Sequence, residues 1–312
     1  MKQRHLVLLL VICSGWASSA GASVPANKGK VVPVLVETKY QRLASGPLAR
    51  AAVADLPAGV VLAADGLTIT VKDISAEIEK APAMARDQLR KYKFFVLERL
   101  AVHKVIAAEA KTWAAKKGMS KSLAESDLIA KYLESITSGI KVSDDEIARL
   151  YKQNPDLIGP FPLEKVKAEL RTYLQEQKQR QAIADHIDSI GSRRKIKVSD
   201  AWTRQQYALW IKNPVEQARR SGRPTLVDFG ADGCRPCDMM SPILKELRAE
   251  HKGKLNIVFV HVRKEQVLAA HYSISSIPVQ IFFDKNGRET FRHVGFFDKK
   301  SIEQKLLELG VK

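Results

Sequence analysis

The 312 residues leave room for about two domains. An apolar fraction of 45% with 27% charged residues is ordinary for a globular protein and excludes overall disorder. The net charge of +17 comes without any aromatic-plus-basic binding motif, which argues against a nucleic-acid partner. Beyond the N-terminus no apolar run reaches the roughly 20 residues of a membrane span, so no stable membrane insertion is expected.

The chain opens like an export signal. Lys2, Arg4 and His5 form a basic start, Leu6 to Cys13 an apolar run, and Ala20-Gly21-Ala22 a small-x-small cleavage site that would leave Ser23 first. Residues 1–22 are therefore expected to be removed, and the mature protein to be periplasmic or secreted. A lipoprotein would need a small residue before Cys13, where Ile12 stands. Residues 23–58 carry Pro25, Gly29, Pro33, Gly46, Pro47 and Pro57 with no sustained period, and read as a flexible tether.

Regular structure is expected from residue 59. Val60 to Ala63 and Leu67 to Thr70 flank the turn signal Asp65-Gly66, as in a hairpin. Ile74 and Ile78 are four apart, as on a helix. After Pro82 one long helix is expected, with Tyr92, Phe95, Val96, Leu100, Ile106, Ala110 and Trp113 at three-to-four spacing, ending at Lys116-Lys117-Gly118. Ser122 with Glu125 and Ser143 with Glu146 have the spacing of capping boxes. A last helix from Leu163 carries Val166, Leu170, Tyr173, Leu174, Ile183, Ile187 and Ile190 on one stripe up to Gly191. The basic cluster Arg193, Arg194, Lys195 and Lys197 reads as a helix end followed by a solvated linker.

Three stretches, Asp65–Ile78, Val96–Gly118 and Val142–Tyr151 closed by Pro162–Leu170, resemble the N-terminal chaperone domain of the SurA/PrsA-type periplasmic foldases. In that family a parvulin-type prolyl isomerase domain separates the last two elements. Here only Lys152 to Phe161 does, so isomerase activity is not carried over. The resemblance implies, for residues 59–198, a helical fold with an apolar cradle for unfolded exported chains.

The texture changes from about residue 202. Thr225 to Phe229, Leu255 to Val262, Val279 to Phe283 and Glu289 to His293 read as strands, alternating with helical patterns at Pro236–Lys252, Glu265–Tyr272 and Lys299–Leu309. Such alternation argues for an α/β domain over residues 199–312. The expected fold class is therefore α+β multidomain, a mainly α-helical part followed by an α/β part.

Once the leader is gone, Cys234 and Cys237 are the remaining cysteines. A lone pair three apart closes too short a loop to act as a structural framework. A zinc knuckle needs two more ligands, and the seven histidines are scattered, so no metal and no cofactor are expected. Cys234 falls where strand gives way to helix. The helix N-terminus and the neighbouring Arg235 should favour its thiolate. Cys237, one turn further in, should be more buried and able to reach back. Pro236 suits the first turn of the helix, and Pro242 should bend it.

Val227-Asp228-Phe229, Cys234-Arg235-Pro236-Cys237, Pro242, Ser276-Ile277-Pro278, Lys285-Asn286-Gly287 and Gly295 together closely resemble a thioredoxin domain. The resemblance implies that Cys234 is the attacking thiol and Cys237 the resolving one. It further implies that Asp228 is a buried acid assisting proton transfer. Pro278 would be a cis proline where client backbone docks, with Ile277, Arg235 and Pro236 beside it. The chain departs from the family at Gly230 and Gly233, where tryptophans are usual, at Arg235, and at Phe259, where a lysine near the acid is usual.

The expected function is exported thiol–disulfide exchange, leaning towards reductase or isomerase. Its partners would be unfolded or disulfide-bonded exported proteins and a redox partner protein such as a membrane thiol reductase. The rival reading is a holdase chaperone whose thioredoxin-like part mainly binds clients.

Overall fold

The computed structural model describes residues 33–119, 123–153 and 161–312. The leader, the first part of the expected tether and Ser122 lie outside the described residues. No helix among the described residues is long and apolar enough to cross a membrane.

Residues 33–54 are not a tether. They form helix α1 (Val36–Lys39), a 3-10 turn (Pro47–Arg50) and strand β1 (Ala52–Ala54). Val36, Tyr40, Leu43 and Leu48 are buried in the main core. Pro47 opens the 3-10 turn, and α1 is only four residues long, too short to display a sustained period in the sequence. Strands β2 (Val60–Ala64) and β3 (Leu67–Thr70) make the expected hairpin. Strand β4 (Lys197–Ser199) then enters between β1 and β2, so the basic stretch after Arg194 is part of a sheet and not a solvated linker.

Helix α2 (Val71–Lys80) starts at a full capping box: Thr70 Oγ1 accepts from the Asp73 N–H, and Asp73 accepts from the Thr70 N–H. The helix expected after Pro82 is two, α3 (Ala83–Lys91) and α4 (Lys93–Lys116), broken at Tyr92, whose φ of −117° and ψ of 55° leave the helical region. Tyr92 leaves the stripe because its ring turns into the core. Helix α4 buries residues on most of its surface, as expected of a central helix. Helix α5 (Glu125–Thr137) begins after Ala124, and Glu125 pairs with Lys111; the Ser122–Glu125 spacing lies partly outside the described residues. The Ser143–Glu146 box does form and opens α6 (Asp144–Gln153).

Helix α7 (Leu163–Arg193) runs past Gly191. A β-carbon at Gly191 would lie 2.8 Å from Pro47 Cβ, so this glycine permits close packing and does not end the helix. The expected α7 stripe is fully buried only near its end, at Ile187 and Ile190.

Helices α8 (Asp200–Trp210) and α9 (Pro214–Arg219) lead into a second sheet. Its strands are β5 (Thr225–Gly230), β6 (Asn256–His261), β7 (Val279–Phe283) and β8 (Glu289–Val294), ordered β6-β5-β7-β8. The β5–β6 pair is parallel, and β7 is antiparallel to both β5 and β8. Alternation divides this sheet cleanly. Leu226 and Phe282 face α10 (Arg235–Glu250) and α12 (Lys299–Glu308). Val227, Phe229, Val279 and Ile281 face the other way and join one core with α11 (Gln266–His271) and the N-terminal helices. That seam is aromatic: Tyr92 meets Trp210 edge-on at 5.7 Å, and Phe94 stacks on Trp202 at 6.1 Å. The architecture is α+β and multidomain, as the sequence pattern indicated.

Candidate active site

The site forms where β5 ends and α10 begins. Gly230 closes the strand and Gly233 turns the chain at φ +72°, a region that glycine enters freely. Cys234 is the N-cap of α10, with Pro236 in the first turn. Its Sγ accepts a hydrogen bond from the Cys237 N–H at 3.3 Å, the role a serine or aspartate oxygen usually plays. The two sulfurs are joined as a disulfide. Cys234 is half-buried, Cys237 is buried, and Arg235 and Pro236 are exposed. Pro242 lies inside α10.

Pro278 immediately precedes β7, and the Ile277–Pro278 peptide bond is cis. Ile277 is half-buried and Pro278 buried. The Pro278 carbonyl accepts from the Gly295 N–H at 2.8 Å, which ties the proline to the end of β8.

Asp228 lies inside β5 and is 1% exposed. It shares a face with Leu226 and Gly230, the face towards α10. Burial pushes its carboxyl up to about 6, while a hydrogen bond from Gln280 Nε2 at 2.8 Å acts in the opposite direction. Its ladder partners are Phe259 on β6 and Gln280 on β7. The place where a cation would relieve the acid thus holds an aromatic ring. A β-carbon on Gly230 would fall 2.9 Å from Phe259 Cε2 and 3.5 Å from Cys237 Sγ, so the ring lies against the strand beside the buried sulfur. At the loop, His261 Nε2 stands 3.0 Å from Asp232 Oδ2, and this contact holds the Asp232 carboxyl below its usual range.

The structure therefore brings Cys234, Cys237, Arg235, Pro236 and Asp228 together on the β5–α10 corner. It places Ile277 and Pro278 just before the adjoining β7. Sequence reasoning missed Gln280. Its signal was a single amide in the apolar run Val279-Gln280-Ile281-Phe282-Phe283.

Residues 211–308 match the family model described as Thioredoxin. The chain is 34% identical over 94 residues to the thioredoxin of Alicyclobacillus acidocaldarius subsp. acidocaldarius, which spans 30% of this chain and 89% of that protein. It is 41% identical over 81 residues to the thioredoxin of Staphylococcus aureus strain Mu50, which spans 26% of this chain and 77% of that protein. These matches carry a thiol–disulfide oxidoreductase-like character for this part of the chain. The chain belongs to the thioredoxin family, through the domain that its residues 211–308 form.

Proposed function

We propose that this protein is an exported thiol–disulfide oxidoreductase that reduces or isomerises disulfides of client proteins held against its N-terminal helical part. The observation that carries the reading is the division of the pair at the α10 N-terminus. Cys234 is half-exposed at the positive end of a helix, while Cys237 is buried behind it.

The reduced pair works as follows. Cys234 thiolate attacks one sulfur of a client disulfide, and the other client sulfur leaves with the electron pair and takes a proton. Cys237 gives up its proton and attacks Cys234 Sγ. The second client sulfur leaves, and the Cys234–Cys237 disulfide remains. Two electrons have passed to the client, so a redox partner protein must return two. In an exported protein a membrane thiol reductase fits that need.

The shared aromatic core at Tyr92, Trp202 and Trp210 supports coupling between the helical part and the exchange site. Apolar side chains left half-open on and before α7, Phe161 and Tyr173, suit a client-holding role like that of the SurA/PrsA-type foldases.

The test is insulin reduction by the mature chain with a dithiol reductant. Turnover above background that disappears in Cys234→Ser is expected. A wild-type rate equal to background overturns the reading.

A further inference from the structure

All five side chains of β7 are buried, and four are apolar. Gln280 is the exception, and no part of it reaches solvent. A buried polar group left unpaired costs about 1–3 kcal/mol, so an amide in such a place should use both its donor and its acceptor. Gln280 uses one. Nε2 donates to Asp228 Oδ1, and Oε1 has no partner among the described residues.

The β5–β7 register sets Gln280 directly opposite Asp228. On its other flank Asp228 has Phe259. The nearest titratable side chains of the flanking strands are engaged elsewhere. His261 on β6 meets Asp232, and His293, across from Gln280 on β8, has its Nε2 3.0 Å from the Phe296 carbonyl. From α10, Cys237 approaches the same face at Gly230. The amide is therefore the polar partner that the acid has among these elements.

An ionised carboxylate only accepts hydrogen bonds, whereas a protonated one also carries an O–H donor. Protonation would give Asp228 the donor that Gln280 Oε1 lacks, and acid and amide could then close a ring of two hydrogen bonds. We propose that Gln280 is a positioning residue of the thiol reaction, holding Asp228 by one hydrogen bond when the acid is charged and by two once it has taken the proton of Cys237. This rests on Cys234 and Cys237 being the exchanging pair. In that step the Cys237 S–H bond breaks and its proton moves to an Asp228 oxygen. The sulfur's electron pair forms the bond to Cys234 Sγ, and the Cys234–client bond breaks with its pair on the client sulfur.

The test uses the full mature chain. Infrared difference spectra between acid and neutral pH show the protonated Asp228 carbonyl band, identified by its loss in Asp228→Asn. In Gln280→Leu, and in the similarly shaped Gln280→Met, the band is expected to move up in frequency as the acid loses its partner. Insulin turnover at neutral pH should fall about tenfold, the equivalent of one hydrogen bond. In the wild type, nitrogen NMR should show the Gln280 side-chain amide titrating with Asp228, a measurement that stands even if the variants fail to fold. A band that stays in place, or a Gln280 amide that ignores the Asp228 titration, overturns the proposal. A wild type that shows both signatures but no insulin turnover would instead overturn the exchange reading and leave the acid–amide pair intact.

Discussion

Phe259 and Gly230 fit each other across the β5–β6 ladder: a β-carbon on Gly230 would fall 2.9 Å from Phe259 Cε2. The ring stands where a side chain at 230 would have to go, and it is 48% exposed. Gly230→Ala must displace something, and a half-exposed ring yields more easily than the Cys237 sulfur on the other side. The expected loss is about 1 kcal/mol, at the low end for overpacking. It should largely disappear in a Phe259→Ala background, because the obstacle is then gone. Urea unfolding of the two single variants and the double variant measures this coupling. Costs that simply add to within about 0.3 kcal/mol would refute it.

Asp228 should make the oxidised protein less stable as pH rises. Burial raises its folded pKa to about 6 from the ordinary 3.8, so the native state binds this proton more tightly than the unfolded chain does. The stability it contributes is complete below the unfolded value. It is lost as pH climbs through the folded value and stays lost above it. The difference is on the order of 3 kcal/mol. Asp228→Asn should therefore be more stable than wild type at pH 7 and should lack this slope between pH 4 and 6, while exchanging disulfides more slowly. Denaturant midpoints at pH 4, 5, 6 and 7 give the answer. Equal slopes in variant and wild type would contradict the assignment.

Glu216 binds the two halves of the molecule. It is fully buried and accepts from Arg42 Nε at 2.8 Å, Arg219 Nη1 at 2.9 Å and the Tyr272 hydroxyl at 3.1 Å. Arg42 belongs to the segment before β1, and the other three belong to the C-terminal part. Glu216→Ala leaves two guanidinium groups facing each other without their anion, and should cost about 3–5 kcal/mol. Arg42→Ala leaves Glu216 still paired with Arg219 and should cost less, yet it removes this ion pair between the halves. Calorimetry is expected to show one transition in the wild type and a separated or broadened one in Arg42→Ala. A single sharp transition in Arg42→Ala would show that the remaining contacts, the aromatic seam and the bonds of Lys39 and Tyr40 to Asp200 among them, suffice to couple them.

The thioredoxin part was legible because its signals are local. A Cys-x-x-Cys at a strand–helix joint, an Ile-Pro before a strand and a Lys-Asn-Gly turn each specify their own backbone within a few residues. The N-terminal part was less so. Residues 33–54 gain structure from β4, which lies about 145 residues further on, and no window of sequence displays a parallel pairing of three residues. Gly191 looked like a helix end because nothing nearby showed Pro47 packing against it. Tyr92 fits a helical stripe by spacing, yet its ring is held by Trp210 and the helix breaks to allow it. Gln280 was visible as a polar residue in an apolar strand, but its meaning depends on the register that sets it opposite Asp228.

The unequal exposure of the two sulfurs leads to a final expectation. Cys234 caps α10 and is half-exposed, so a client can approach it, while Cys237 is 7% exposed and meets mainly what Cys234 brings. In Cys237→Ser the resolving thiol is gone, so an attack by Cys234 should stop at the mixed disulfide and accumulate client adducts. Cys234→Ser should accumulate few, because the remaining thiol is covered. The double serine variant should form none, and any suppression of client aggregation that it retains is independent of thiol exchange. Non-reducing electrophoresis after acid quenching, followed by mass spectrometry of the adducts, distinguishes these cases. Equal trapping by both single variants would mean that Cys237 is as accessible as Cys234, and the division of labour between the two sulfurs would have to be abandoned.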